Sequence, residues 1–180
     1  IVADEQHEFG GSLLGERADI DGEPALNWVR RTLAELRALP DVTALSRSTV
    51  FGYFDHGLLA ISERAAPPQT GAPAQRLWKV RARQVVLATG ALERPLVFAN
   101  NDRPGVMLAS AARTYANRYA VRPGTRAVIF TNNDSAYAAA LDLKASGTAI
   151  AAIIDVRRGT LGRRPVQAQK AVLDIRFATA

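Results

Sequence analysis

The sequence predicts an α/β chain, in which strands are joined through covering helices and a β-hairpin interrupts the first half. Three observations lead to this class. Apolar residues recur at helical spacing through PALNWVRRTLAELRALPDV, residues 24–42. Residues 127–158 read strand, helix, strand as AVIFT, SAYAAALDLKASG and AIAAIIDVRR. Two short apolar runs end abruptly, Ile1 to Ala3 on the acids Asp4 and Glu5, and Val85 to Leu87 on the small residues Ala88, Thr89 and Gly90. A strand–helix–strand succession implies parallel pairing, because the chain returns to the same edge only through a crossover.

In chain order, the first strand runs into Asp4 and Glu5 and then a Gly10–Gly11 step. In the helix that follows, Trp28, Val29, Thr32, Leu33, Leu36 and Leu39 share one face, and Arg30, Arg31, Glu35 and Arg37 the other. Pro24 suits a first turn, where a missing N–H is no loss, and Pro40 marks the stop. Residues 42–64 are rich in β-branched and aromatic side chains, with Asp55, His56 and Gly57 as a hairpin turn. A Pro- and Gly-bearing loop, 65–75, precedes LWKVRARQVVLATG, where strand character returns. Val85, Val86 and Leu87 are expected to form a strand buried on both faces. Residues 93–107 are an irregular connection, LASAARTYANRYAV is helical, and residues 121–125 turn into AVIFT, a second buried strand. VLDIRFA, near the end, reads as a final strand.

Composition narrows the function classes. An apolar fraction of 48% and a charged fraction of 22% are those of a folded globular chain. The absence of Cys removes disulfides, thiolate metal sites and thiol redox chemistry, and two histidines, His7 and His56, make no zinc site. The net charge of +6 comes mainly from dispersed Arg, in isolated pairs without interleaved aromatics, so nucleic acid is not an expected partner. No apolar run approaches the roughly 18 residues of a membrane helix, and no signal-peptide pattern is present, so a cytoplasmic protein is expected.

The two abrupt strand ends carry the chemistry. In a dinucleotide-binding unit, the first strand leads into a Gly-rich turn that holds the pyrophosphate. An acid ending the next strand then accepts hydrogen bonds from the ribose hydroxyls. Asp4 or Glu5 stands where that acid belongs, which places the Gly-rich turn before residue 1. A carboxylate there favours a free 2′-hydroxyl, hence NAD or the ribose of FAD over NADP. Two acids ending a strand are also what a solvated strand end presents. The second run favours the cofactor reading: Ala88, Thr89 and Gly90, downstream of the acid-ended strand with a hairpin between, let the backbone approach a cofactor closely.

ADEQHEFGGSLL, LWKVRARQVVLATGALERPLVFANNDRPGVMLASAARTYANRYAV and GTRAVIFTNNDSAYAAALDL together resemble the α subunit of heterotetrameric sarcosine oxidase, across about residues 1–157. More broadly they resemble flavoproteins with two dinucleotide-binding domains. The resemblance implies a truncated FAD/NAD(P)-binding, Rossmann-like fold. Residues 1–105 would be a partial first domain, 106–123 a connecting helix and linker, and 124–180 a partial second unit. It implies an enzyme complex that demethylates sarcosine oxidatively to glycine, hydrogen peroxide and a one-carbon unit taken up by tetrahydrofolate. The partners would be a β subunit with smaller subunits, FAD and FMN would belong to the whole complex, and this segment would hold a noncovalent NAD. Carried over by residue, Asp4 or Glu5 would bind ribose, Gly10 and Gly11 line the cofactor path, the backbone near Val50 meet adenine, and Thr89 and Gly90 close over the pyrophosphate side. No residue corresponds to a catalytic acid, base or flavin attachment, so the segment alone is expected to be inactive. Two competing readings remain: the large subunit of an opine, proline or amine dehydrogenase complex binding FAD, and a noncatalytic scaffold with degenerate nucleotide sites.

The second strand–helix–strand unit places Thr131, Asn133 and Ala136 where a fingerprint has glycines, which points to a retained fold without dinucleotide binding. Asn132, Asn133 and Asp134 are expected to cap its helix. Tyr115 and Tyr119 are expected in packing, Asp102 and Arg103 in a pinning ion pair, and both histidines on the surface. Ser12 and Ser110 have no base at a suggestive spacing.

Overall fold

The helix expected over residues 24–42 forms as α1, Ala25–Ala38, in the computed structural model of the chain. The described residues are 1–64 and 73–157, with the backbone of 175–177. Leu39, before Pro40, is extended with φ −79° and ψ 126°, because the proline ring excludes a helical neighbour on its N-terminal side. Trp28, Val29, Thr32, Leu33 and Leu36 are half-buried along one face, while Leu39 is exposed.

The chain divides into two compact units, Ile1–Gly11 with Ala18–Gly90 and Ser12–Arg17 with Ala91–Ala180. Along the chain, the last passage from the first unit to the second follows Gly90. Residues 91–107 join the second unit through side chains: Glu93 Oε2 accepts the Ser110 N–H at 2.8 Å, and Phe98 meets Phe130 edge-on at 5.5 Å. The pairing expected of Asp102 with Arg103 does not form; backbone turns from Asn100 to Arg103 and from Arg103 to Val106 shape that stretch instead.

In the first unit, β1 (Val2–Ala3) is followed by a small antiparallel pair, β2 (Asp19–Ile20) and β3 (Glu23–Pro24), which leads into α1. The chain then returns as β4 (Ala44–Leu45), parallel to β1, so the helix is the crossover of a short strand–helix–strand unit. β5 (Ser48–Phe54), β6 (Leu58–Arg64) and β7 (Gln75–Arg81) form an antiparallel sheet, and Asp55–Gly57 makes the expected turn between the first two. Leu59 and Ile61 alternate inward on β6. Trp78 Nε1 donates to Glu63 Oε2 at 2.8 Å across the β6–β7 pair, with the Arg76 guanidinium 5.5 Å from the indole ring. Most of the loop at 65–75 lies outside the described residues.

Val85, Val86 and Leu87 do not form the strand expected of them. Val86 is 89% exposed and Leu87 79%, and no strand among the described residues pairs with them. Apolar side chains favour a buried strand only where a neighbouring strand supplies hydrogen bonds and cover.

The second unit contains α2 (Ala109–Tyr119), β8 (Arg126–Thr131), α3 (Ser135–Ala145), β9 (Ala149–Asp155) and β10 (Ile175–Phe177). The three strands form a parallel sheet in the order β10-β9-β8, and β10 falls within the final strand read from the sequence. Ile129, Ile153, Ala136, Tyr137 and Ala140 make its core, and Ala112, Ala116 and Leu143 a second cluster. Ile150 packs against both. β8 is buried on one face only: Ile129 and Thr131 point inward, while Val128 is 59% exposed. Tyr115 and Tyr119 meet at 6.3 Å but remain on the surface of α2.

The 3-10 turn Gly11–Gly15 reaches α2 through a polar cluster. Arg113 on α2 pairs with Glu16 and with Asp142 of α3, while Asn117 Nδ2 donates to Asp142 Oδ2 (2.8 Å) and to the Gly15 carbonyl (3.0 Å). Gly15 must lack a side chain, because a Cβ would stand 2.7 Å from Thr114 Oγ1. Gly15→Ala is therefore expected to cost about 1–3 kcal/mol as an overpacking change. Thr114→Ala in the same chain is expected to recover most of that loss, as read from thermal unfolding midpoints.

Candidate functional site

The candidate site begins where β1 ends. Asp4 continues the ladder past the strand: its N–H donates to the Leu45 carbonyl (2.9 Å) and its carbonyl accepts from Ser48 N–H (2.8 Å). The side chain then turns back, with Oδ1 accepting the Gln6 N–H at 2.9 Å. Oδ2 has no hydrogen-bond partner among the described residues, so one oxygen fixes the turn and the other is available to a hydroxyl. Glu5 is exposed and its carboxylate makes no ion pair among the described residues.

Glu5 also lines a surface depression of about 410 Å³ with Gln6, Arg47, Thr49 and Arg64. The backbone holds this constellation: Arg47 N–H donates to the Gln6 carbonyl at 2.8 Å, and Arg64 N–H to the Arg47 carbonyl at 3.0 Å. Arg47 takes φ +52°, a left-handed kink between β4 and β5. Neither guanidinium has an acidic partner among the described residues, so both leave positive charge beside the acid. Sequence reasoning missed the two arginines. They lie far apart in the chain and meet only through the pairing of β5 with β6; an Arg directly before a β-rich run is too common to single out.

Of the other residues selected from sequence, Val50 sits on β5 opposite Ile61, next to a bulge between Val50 and Gly52, and is 45% exposed. Gly10 and Gly11 have φ +141° and +54°, and Gly90 has φ +68°. Nothing lies within 4 Å of where a Cβ would project at Gly11 or Gly90. Asp4, Glu5 and the start of β5 come together at one end of the β1–β4 pair. No hydrogen bond joins Thr89 or Gly90 to residues 1–5 among the described residues.

The second unit has the shape of a nucleotide-binding turn but spends its groups internally. Thr131 is buried, and its Oγ1 accepts the Asn133 N–H (3.1 Å) and donates to the Asn133 carbonyl (3.0 Å), filling the place of a first glycine. Asn133 Oδ1 accepts the Ser135 N–H at 3.0 Å, so the helix is capped by Asn133 and not by the side chain of Asp134. Asp155, where a ribose acid would stand, is fully buried. It accepts hydrogen bonds from Tyr137 Oη (2.8 Å), Arg157 N–H (3.0 Å) and Arg157 Nη2 (2.6 Å), and Arg157 Nη2 also reaches Asp134 (2.7 Å). Burial pushes the Asp155 carboxyl upward, but the Arg157 side-chain and backbone hydrogen bonds and the Tyr137 hydroxyl outweigh it and hold it below its ordinary value. Burial and the hydrogen bond to Asp155 raise the Tyr137 phenol, and the Asp155 hydrogen bond raises Arg157. Asp155 has no capacity left for a sugar.

Among the described residues no group of three or more metal-ligating side chains is arranged for a metal, and no helix is long and apolar enough to cross a membrane. His7 and His56 are both exposed.

Parallel strands joined through helices, an antiparallel insertion and an acid-ended first strand define the class: a dinucleotide-binding α/β fold. L-Proline dehydrogenase from P. horikoshii shares the fold with a TM-score of 0.66 at 21% identity, over 90% of this chain and 31% of that one. In sequence the chain is similar to the alpha subunits of sarcosine oxidase from Rhizobium meliloti, at 47% identity over 87% of its length, and from Corynebacterium sp. strain P-1, at 48% over 87%. An opine oxidase subunit from Agrobacterium tumefaciens is 31% identical over 86%. The chain spans 16–17% of the length of those two sarcosine oxidase subunits and 31% of the opine oxidase one. No protein-family profile matches it.

Proposed function

We propose that this chain is the cofactor-binding part of the alpha subunit of a sarcosine-oxidase-type oxidoreductase complex. The likeness of 47–48% over 87% of the chain carries the proposal. The complete complex would oxidise sarcosine to glycine, releasing hydrogen peroxide and passing a one-carbon unit to tetrahydrofolate, with a β subunit plus smaller subunits as partners. FAD and FMN would belong to the complex, and the first dinucleotide-binding domain here would hold NAD without a covalent bond.

The residues present fit the adenosine half of that nucleotide. Asp4 offers an Oδ2 that has no partner among the described residues for a ribose hydroxyl, steadied through its other oxygen by the Gln6 N–H. The open space at Gly11 and Gly90 leaves backbone accessible to phosphate. Arg47 and Arg64 add positive charge toward the same end. When bound, the nucleotide would supply redox or structural capacity; these residues only bind and orient it. The domain division at residues 105 and 123 remains our reading for the longer protein.

A second reading follows from the opine oxidase likeness: a dehydrogenase large subunit in which the same acid binds the ribose of FAD. Mass spectrometry of small molecules released from the purified full-length protein separates them. NAD is expected. FAD in stoichiometric amount from this subunit would select the dehydrogenase reading, and release of no nucleotide would select a scaffold.

A further inference from the structure

We propose that a nucleotide bound at the Asp4 end orders two of the three places where the chain passes between its compact units; the inference rests on the nucleotide reading above. Those passages follow Gly11, Arg17 and Gly90. Two of them therefore coincide with glycines placed on the cofactor path, although packing alone defines the passages and has no bearing on the chemistry that singles out the glycines.

The passages differ in how they are held. The segment between the first and second is held to α2, by the Gly15 carbonyl on Asn117 and by Glu16 on Arg113. Among the described residues, Gly10 and Gly11 make no backbone hydrogen bond beyond the 3-10 turn that Gly11 begins, and Thr89 and Gly90 make none. Gly11 and Gly90 have positive φ, and among the described residues no atom beyond their chain neighbours lies within 4 Å of either Cβ position. An unrestrained glycine in water samples many conformations, so each of these passages is a point of low local stability. Phosphate oxygens accept backbone N–H groups. A ligand drawing donors from Gly11 and Gly90 would supply the hydrogen bonds that the protein itself omits, and the ordering would appear as slowed exchange at both passages.

Hydrogen–deuterium exchange on the full-length protein, in its complex, with nucleotide removed and then NAD restored, tests this. Peptides covering residues 8–12 and 87–92 are expected to slow at least about tenfold on NAD addition, while a peptide covering residues 113–119 keeps its rate. Calorimetry on the same samples establishes whether NAD binds. Binding without slowing at either passage overturns this inference and leaves the nucleotide reading standing. No binding overturns the nucleotide reading itself. Slowing spread equally over residues 113–119 also overturns the inference, because it signals general stabilisation.

Discussion

Replacing Asp4 and Glu5 together by alanine in the full-length protein is expected to weaken NAD binding about 100-fold while leaving the far-ultraviolet circular dichroism unchanged. Hydrogen bonds to a charged group contribute about 1.5–3 kcal/mol each. Losing two at a ribose diol removes about 3 kcal/mol, close to two decades in Kd. The single variants divide the effect. Asp4 is half-buried with one oxygen tied to Gln6, so Asp4→Asn should carry most of the loss; Glu5 is exposed and should matter less. The strand end itself survives, because the backbone bonds from Asp4 to Leu45 and from Ser48 to Asp4 do not involve the side chain, and among the described residues only the Gln6 N–H bond to Oδ1 is lost. Titration calorimetry reads the affinity. Undiminished affinity in the double variant would remove the ribose assignment altogether.

The second large effect is expected in the other unit. Arg157→Ala leaves the fully buried Asp155 carboxylate without its cation, with only the Tyr137 hydroxyl and the backbone N–H of residue 157 among the described residues to stabilise the charge. Breaking a buried pair costs about 3–5 kcal/mol, and the partial exposure of Arg157 lowers the expectation to about 2–3 kcal/mol in urea unfolding. The double variant Asp155→Asn with Arg157→Ala should be more stable than Arg157→Ala alone, because no charge is then left buried. Acid titration supplies a second signature. The folded-state Asp155 carboxyl lies below its unfolded value, so its contribution is present above the unfolded pKa and is lost as pH falls through the folded one. Without the Arg157 side chain, a lowering hydrogen bond and a neighbouring charge are lost and the carboxyl moves upward, so the gap between wild type and Arg157→Ala should close on acidification. An unchanged urea midpoint at neutral pH would show that Asp155 does not depend on Arg157.

The fold was legible where local periodicity and punctuation agree with tertiary packing. Residues 24–42 carry both, and α1 starts and stops within a residue or two of its prolines. The strand–helix–strand unit at the other end was equally plain, since AVIFT and AIAAIID pair in parallel as their spacing implies. Val85 to Leu87 show the limit: an apolar run specifies a wish to be covered, but the cover is a property of other residues. The same limit applies to Val128, where a continuous apolar string conceals a strand that faces inward only at alternate positions. At the candidate site, Asp4 could be found from its place at the end of an apolar run, and the glycines from the family resemblance. Arg47 and Arg64 could not, because backbone pairing between distant segments creates their proximity. The loss of the second fingerprint was readable from Thr131, Asn133 and Ala136, whereas the Arg157 bridge that consumes Asp155 was not.

The placement of the indoles has a spectroscopic consequence. Trp28 on α1 and Trp78 beside Glu63 both belong to the first unit, and the chain has no other tryptophan. Intrinsic tryptophan emission thus arises from the first unit alone, whereas the aromatic reporters of the second include Tyr137 in its core. A denaturation curve recorded by indole fluorescence alone carries no reporter beside Asp155, and comparing emission with tyrosine absorbance tests whether the two halves melt together.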